Sequence, residues 1–192
     1  ILMVPYGLGQ KVEFEKNFGP RLGKLDINKI NKIDEIIFVK KIHRVYKAIK
    51  KVNSDTILDN KNTIGFIGAP WTLLVYMINQ QSPKKNLRKN FVKDKIFTNK
   101  ILAIIEKFLK IHIKNQIDKG ANVIQIFDSW AGLLEDKDLP SYIYNPTFNL
   151  VKYIKSLNTP VICFPRNIKD YKEYCDLVDP DAICIDYEID PV

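Results

Sequence analysis

TIGFIGAPWT, at residues 63–72, is the stretch of sequence that decides the fold. It opens with a short apolar run bounded by glycine, which is typical of a β-strand buried on both faces. Pro70 then stands where a proline suits the first turn of a helix, which we expect to run to about Ile78. The stretch therefore predicts a buried strand followed directly by a helix.

Helical periodicity is found on both sides of this stretch. Apolar residues recur at helical spacing over residues 34–52 and again over residues 101–112, and Gly120 suits the C-terminal cap of the second helix. Residues 139–157 are expected to be helical in two pieces, because the segment contains two prolines. Residues 168–178 are expected to form a further short helix.

Short apolar runs predict three more buried strands, at residues 121–127, 159–164 and 182–185. Continuous apolar strands covered by helices indicate a parallel sheet buried on both faces. Repeated strand–helix units leave two architectures, an open doubly wound sheet and a closed (β/α)8 barrel. No Gly-x-Gly-x-x-Gly motif follows a predicted strand, which disfavours a dinucleotide-binding sheet, but periodicity alone does not separate the two architectures.

The two ends of the chain and the linker are less regular. We interpret the apolar residues 1–4 as the tail of a buried strand, residues 11–14 as a half-buried strand, and the glycine- and proline-rich residues 19–23 as a turn. A linker at Ser82 and Pro83 precedes a predicted basic helix. Because the sequence starts within an apolar run and stops directly after a predicted strand, we expect it to be part of a longer protein.

The composition argues against several classes of protein. With 46% hydrophobic and 27% charged residues, the chain is typical of a globular protein, and we take residues 1–192 as a single domain. No apolar run approaches the roughly 20 residues that cross a bilayer, and no leader pattern opens the sequence, so we expect a cytoplasmic protein without a membrane partner. The net charge of +8 comes from scattered lysines, so no nucleic-acid partner is expected.

The cysteines and histidines do not suggest a metal site. Cys163, Cys175 and Cys184 form no Cys-x-x-Cys pair and lie among apolar residues, as structural cysteines do. His43 and His112 are far from any cysteine in the sequence and lie on or beside apolar helix stripes. We therefore expect both histidines to pack in the core or at its edge, and we predict no metal ligand.

The first of two predicted strand ends offers a place for chemistry, because active sites of parallel α/β proteins gather where strands end. The helix that begins at Pro70 points free N–H groups and a partial positive charge at this strand end, which suits a carboxylate. Tyr76 adds a phenol that can donate or accept a hydrogen bond. Trp71 and Tyr76 could instead fill the core, as aromatic residues usually do.

The second strand end is QIFDSWAG, at residues 125–132. Asp128 and Ser129 fall just past the predicted strand, which places a carboxylate and a hydroxyl at the edge of the sheet where chemistry is expected. Asp128 could instead cap a helix. From the residues alone, both interpretations stay open.

Together the two strand ends resemble the uroporphyrinogen decarboxylase family. The resemblance rests on GAPWT at residues 68–72, on Phe66 before it and Tyr76 after it, on residues 125–132, and on the separation between the motifs. It extends to both ends of the chain, but it covers only a little over half of a typical family member. It implies a partial (β/α)8 TIM barrel, from about the end of barrel strand 2 through strand 6, in a protein that is usually a homodimer.

The resemblance also implies an activity. Uroporphyrinogen decarboxylases convert uroporphyrinogen III to coproporphyrinogen III by turning four acetate side chains into methyl groups with loss of CO2, and they use no metal or organic cofactor. The substrate is its own electron sink, because protonation of a pyrrole carbon gives a cationic ring that accepts the electrons of the departing carboxylate. The protein has to stabilise that cation, position the acetate and supply protons.

The resemblance assigns roles to three residues. Tyr76 matches the tyrosine that supports the family's catalytic aspartate and contacts the substrate, so it is the candidate catalytic residue. Ser129 matches a serine that hydrogen-bonds a substrate carboxylate, and Phe66 matches an aromatic residue that lines the pocket. The aspartate itself would stand just before Ile1, so we expect no decarboxylase activity from the 192-residue chain alone.

Some positions depart from the family pattern. Ile67 stands where the residue is usually small, and residues 79–82 replace an acidic, glycine-rich stretch. Around Arg166 the similarity holds only in outline. Arg166 could bind a substrate carboxylate, for which its paired donors are suited, or it could face solvent.

Three other interpretations stay open. A barrel methyltransferase of the cobalamin or zinc type is the nearest enzymatic alternative, but it would need soft zinc ligands, typically a His-x-Cys pair and a later cysteine. A basic nucleic-acid-binding protein is the alternative from another class, and the scattered lysines argue against it. The third is a non-catalytic remnant of the enzyme.

Overall fold

The computed structural model describes residues 1–58, 60–83 and 94–190. In chain order, its strands are β1 (Val12–Glu15), β2 (Gly19–Leu22), β3 (Ile64–Gly68), β4 (Val123–Asp128), β5 (Val161–Pro165) and β6 (Ala182–Ile183). Its α-helices are α1 (Met3–Gly7), α2 (Ile27–Ile30), α3 (Glu35–Asn53), α4 (Pro70–Asn79), α5 (Lys95–Asp118), α6 (Asn145–Ser156) and α7 (Tyr171–Val178).

The main sheet consists of four parallel strands, β3 to β6, whose spatial order is their order in the chain. The register pairs Gly68 with Phe127, and Phe127 with Phe164. A doubly wound sheet would reverse its direction at a switch point, whereas these strands follow one another without reversal, as in the wall of a barrel. The structure confirms an α/β fold with a parallel sheet, arranged as a partial (β/α)8 barrel.

The two faces of this sheet differ in burial. In β4, Ile124, Ile126 and Asp128 are buried against the helices, whereas the alternate residues of the strand are only half-buried. β5 shows the same alternation, because side chains of successive strand residues point to opposite faces. The helix-covered face therefore forms the core, and the other face is left to line the inside of the barrel wall.

The helical layer is held by α3 and α5, which pack against each other through aromatic residues. The Asp34 carboxylate caps α3 by accepting a hydrogen bond from the Ile37 N–H at 2.7 Å. The rings of Phe38 and Phe108 lie 4.8 Å apart, and both are buried. Since a buried aromatic pair adds stability beyond its buried area, this contact anchors the layer on which the sheet rests.

Most of the predicted elements are confirmed, including the strand and helix of residues 63–78, both long helices and the two-piece helix. In that last segment, a π-helical turn at Pro140–Tyr144 leads into α6. Gly120 follows α5 with a φ of +106°, as expected of a glycine at a helix end. The predicted basic helix after Pro83 lies outside the described residues.

The interpretation of the N-terminal segment was partly wrong. Residues 1–4 do not form a strand, since α1 begins at Met3 and its Gly7 backbone packs closely against the Phe38 ring. The turn lies at residues 16–18, because Gly19–Leu22 is itself a strand that pairs with β1. β1 is also more exposed than predicted, with Phe14 77% exposed. A short apolar run has no period that distinguishes helix from strand.

The two histidines differ in their surroundings. His112 is buried on α5, where its Nδ1 lies 3.0 Å from the Tyr46 hydroxyl, and burial lowers its pKa to about 3. Packing was thus predicted correctly for His112 but wrongly for His43, which is exposed on α3. Among residues 1–58, 60–83 and 94–190, no helix is long and apolar enough to cross a membrane.

Gly120 is expected to tolerate no side chain. A methyl group there would lie 2.7 Å from Asn53 Cγ, in a backbone conformation that L-residues rarely adopt. Gly120→Ala should lower the free energy of unfolding, measured by urea denaturation, by about 2–4 kcal/mol. Gly19→Ala is the matched control, because Gly19 also has a positive φ but no atom within 4 Å of the added methyl. Equal losses in the two variants would show that the clash with Asn53 contributes nothing.

Candidate active site

The two predicted strand ends lie side by side at the carboxyl edge of the sheet. β3 and β4 are neighbours, and Gly68 pairs with Phe127 at their ends. The Ala69 N–H extends this pairing by donating to the Phe127 carbonyl at 2.9 Å. Because parallel strands end at the same edge, the segments that begin at Pro70 and at Ser129 leave the sheet together.

Asp128 is the last residue of β4 and not part of the loop, so its side chain points to the helix-covered face. It is 1% exposed, and its Oδ1 accepts a hydrogen bond from the Thr72 hydroxyl at 2.6 Å. The Thr72 backbone N–H also donates to this carboxylate. Ala69, the N-cap residue of α4, offers no side-chain cap. Asp128 therefore caps α4 from the neighbouring strand. Its carboxylate occupies the helix end at which the sequence analysis expected a ligand carboxylate.

Burial has a large effect on the Asp128 carboxyl. It raises the pKa of Asp128 to about 7, although the hydrogen bonds from Thr72 favour the ionised form and oppose the shift. Within the described part of the chain, the second carboxylate oxygen, Oδ2, has no hydrogen-bond partner. The carboxyl therefore changes its charge near neutral pH.

Trp130, the residue after Ser129, is held by the first turn of α4. Its backbone N–H donates to the Thr72 hydroxyl oxygen at 3.2 Å, and its carbonyl accepts a hydrogen bond from the Trp71 indole at 2.9 Å. Its ring meets the Tyr76 ring edge-on, with the centroids 5.9 Å apart. The structure thus brings Tyr76 and the Ser129–Trp130 segment together at one edge of the sheet.

Tyr76 and Ser129 are both half-buried. Neither hydroxyl has a hydrogen-bond partner among residues 1–58, 60–83 and 94–190. A hydroxyl at a site open to solvent can exchange water for a ligand at small cost. Within the described part of the chain, both hydroxyls therefore remain available to a ligand.

A row of three phenylalanines crosses the uncovered face of the sheet just below this edge. The ring of Phe127 meets Phe66 edge-on at 6.1 Å on one side and Phe164 at 6.2 Å on the other. Phe66 is 50% exposed. Sequence analysis identified Phe66 but missed Phe127 and Phe164. The period-two alternation within β4 and β5 places each of them opposite its buried neighbours, but the register between the strands decides that Phe66 shares their face.

Arg166 follows β5 at the same edge. Its backbone N–H donates to the Asp128 carbonyl at 3.1 Å, which places it beside the end of β4. Its guanidinium Nε lies 3.7 Å from Asp186 Oδ1, and half of the side chain is exposed. The structure therefore places Arg166 next to the other predicted residues, with its charge partly balanced by Asp186.

Comparison with known proteins identifies the family of this chain. The family model described as Uroporphyrinogen decarboxylase (URO-D) matches residues 1–192. The chain belongs to the uroporphyrinogen decarboxylase family. It is 35% identical to the uroporphyrinogen decarboxylase of Rickettsia bellii, covering 97% of this chain and 56% of that protein. It is 36% identical to the Campylobacter jejuni enzyme, covering 92% of this chain and 53% of that protein. The chain thus spans about half the length of the curated relatives it matches.

A solved structure shares the fold of this uroporphyrinogen decarboxylase family member. A methyltransferase from Methanosarcina mazei superposes with a TM-score of 0.70 over 96% of this chain and 62% of its own, at 14% identity. At this identity the likeness shows the fold alone. The residues that the structure describes contain no group of three or more His, Cys, Asp or Glu that could hold a metal ion.

Asp128→Asn is expected to change how stability depends on pH. The folded pKa of about 7 lies above the value of about 3.9 for an unfolded aspartate. The folded state therefore holds this proton more tightly, and wild-type stability falls as the pH rises through this range. Relative to Asp128→Asn, the wild type should lose about 2–3 kcal/mol between about pH 5 and pH 8.

The measurement is urea denaturation of both proteins at the two pH values. Asp176→Asn, which makes the same charge change at an exposed position of α7, is the control. Parallel pH profiles for the wild type and Asp128→Asn would show that the buried carboxyl keeps an ordinary pKa.

Proposed function

We propose that this chain forms part of the substrate-binding half of a uroporphyrinogen decarboxylase. The complete protein would remove the carboxyl groups of four acetate side chains of uroporphyrinogen III and give coproporphyrinogen III, without a cofactor. The observation that carries this proposal is the meeting of Tyr76 and the Ser129–Trp130 segment at one edge of a barrel wall. The family supports the activity, and the geometry supports the place where it would occur.

The chemistry of the edge suits a large polyanionic tetrapyrrole. The Ser129 hydroxyl can donate a hydrogen bond to a substrate carboxylate, which is stronger than a bond between neutral groups. Tyr76, whose ring packs against Trp130, offers a second donor. The row formed by Phe66, Phe127 and Phe164 offers apolar area to the pyrrole rings. Polar groups that fix orientation beside an apolar wall are typical of a small-molecule site.

Arg166 supplies a positive charge at this edge. A substrate carboxylate that approached Arg166 would compete with Asp186, whose contact at 3.7 Å is long for a salt bridge. A guanidinium binds a carboxylate best through two parallel N–H donors. We assign Arg166 to substrate binding and Tyr76 to catalysis, where it would support the aspartate that the resemblance implies.

The remaining features of the complete protein are inferred from the family. We take residues 1–192 as one incomplete barrel domain, and we infer that the complete enzyme is a cytoplasmic homodimer. Since the chain spans 53–56% of its relatives' lengths, the whole reaction is proposed only for the product of the complete coding sequence.

The proposal is tested by measuring coproporphyrinogen formation with the product of the complete coding sequence. Tyr76→Phe and Ser129→Ala should each lower kcat/KM by about 10- to 100-fold, because a hydrogen bond to a charged group contributes about 1.5–3 kcal/mol. Tyr153→Phe and Ser156→Ala make the same changes on α6, away from the edge, and should leave the rate unchanged.

Two outcomes would contradict the proposal. A wild-type protein that binds uroporphyrinogen but forms no product would rule out the decarboxylase activity. Full activity in both Tyr76→Phe and Ser129→Ala would show that the active site does not lie at this edge. The 192-residue chain, assayed alongside, should form no coproporphyrinogen, and product from it would show that the chain needs no aspartate from elsewhere.

A further inference from the structure

The two strand ends are joined by one buried pair of polar side chains, Asp128 and Thr72. We propose that this pair consists of positioning residues, which fix the Ser129–Trp130 segment against Tyr76. They would thereby set the geometry of the substrate edge, the carboxyl edge of the sheet at which the substrate is proposed to bind. The catalytic part of this inference rests on the proposed function. The structural part stands on the contacts alone.

Asp128 cannot reach a ligand at the uncovered face. It is 1% exposed and points to the helix-covered side, whereas Phe127 before it points to the other side. Its contacts are with the first turn of α4, through the Thr72 hydroxyl at 2.6 Å and the Thr72 N–H. Among the described residues, the Asp128 carboxylate hydrogen-bonds only to Thr72, so its side chain acts on the substrate edge through Thr72.

The Thr72 hydroxyl connects Asp128 to the backbone of Trp130. This hydroxyl donates its only proton to Asp128 and, with its lone pairs, accepts the Trp130 N–H at 3.2 Å. Because the proton is committed to Asp128, the lone pairs are oriented toward Trp130. The Trp71 indole holds the other backbone group of Trp130, its carbonyl, at 2.9 Å.

Both backbone groups of Trp130 are thus bound by adjacent residues of α4. Tyr76 stands on the same helix, one turn further on, and its ring meets the Trp130 ring. A shift of Trp130 would therefore move Ser129 relative to Tyr76. Without the Asp128–Thr72 pair, the Trp71 indole and the packing of the Tyr76 and Trp130 rings would remain as the described contacts between α4 and the loop after β4.

Substitutions at Thr72 separate the hydroxyl from the shape of the side chain. Thr72→Val keeps the shape and removes both hydrogen bonds, whereas Thr72→Ser keeps them. Asp128→Ala removes the acceptor from the other side. Thr147→Val is the matched control, because Thr147 is equally buried on α6 and its hydroxyl faces Tyr174, away from the two tryptophans.

The first experiment uses the 192-residue chain and needs no activity. Its two tryptophans, Trp71 and Trp130, both belong to this junction, so near-ultraviolet circular dichroism and acrylamide quenching report on it directly. Thr72→Val and Asp128→Ala should each weaken the tryptophan bands and raise the quenching constant at least about twofold, as a loosened buried junction requires. Thr72→Ser and Thr147→Val should match the wild type.

The second experiment measures decarboxylation by the product of the complete coding sequence. Thr72→Val should lower kcat by about 10- to 100-fold with KM changed less than about threefold, because small misplacement of a reacting group costs rate more than binding. Thr72→Ser should stay within about threefold of the wild type. The double variant Thr72→Val/Asp128→Ala should be no slower than the slower single variant, since residues that act as one unit are not additive.

The outcomes separate this inference from the proposed function. Unchanged tryptophan spectra in Thr72→Val would overturn the positioning role, whatever the activity. Additive losses in the double variant, or failure of Thr72→Ser to restore kcat, would also overturn it. If the wild type forms no coproporphyrinogen, the proposed function fails and the spectra still decide the positioning role. If Thr72→Val does not fold, Asp128→Ala takes its place in both experiments.

Discussion

The buried hydrogen bond between Asp128 and Thr72 is the constraint on which the candidate site depends. A carboxylate with almost no exposure is costly unless charge-assisted donors surround it. Here the donors are the hydroxyl and the N–H of one residue at the N-terminus of α4, where the helix dipole also favours negative charge. These hydrogen bonds do not fully offset the cost of burying the charge, since the pKa of Asp128 still rises to about 7.

The sheet separates the residues that stabilise the fold from those that face a ligand. In β4, the residues on the helix-covered face are buried, and the residues between them are half-buried on the inner face. This alternation lets one strand supply Ile124 and Ile126 to the core while Phe127 joins Phe66 and Phe164 on the other side. A substitution on the inner face can therefore alter binding with little effect on the core.

Similarity of fold extends to proteins that are far less identical to this chain than the members of its family are. The methyltransferase from Methanosarcina mazei shares the fold at 14% identity, because strand–helix packing requires only apolar residues in the right period. The uroporphyrinogen decarboxylases share 31–36% identity with this chain. The motifs at the two strand ends, from which the sequence predicted the family, are joined in the structure by the hydrogen bonds of Thr72 to Asp128 and Trp130.

The sequence by itself predicted the buried strands and the long helices, and the resemblance of its motifs to one family made Phe66, Tyr76, Ser129 and Arg166 candidates for the site. Apolar periodicity and helix-capping residues act over a few neighbours, so they can be recognised in a single chain. The strand at residues 11–14 was predicted, but its partner β2 and the N-terminal helix were not, because these short segments lack a clear period and α1 depends on contacts such as that with Phe38.

Only the tertiary structure decided what Asp128 does. The sequence left a ligand-facing carboxylate and a helix cap as alternatives, and the residue caps a helix that lies 56 positions before it in the chain. The tertiary structure also decided that Phe127 and Phe164 share a face with Phe66, and that Arg166 lies beside Asp186. These contacts join residues far apart in sequence, and the local period of one segment does not encode which distant side chain its residues meet.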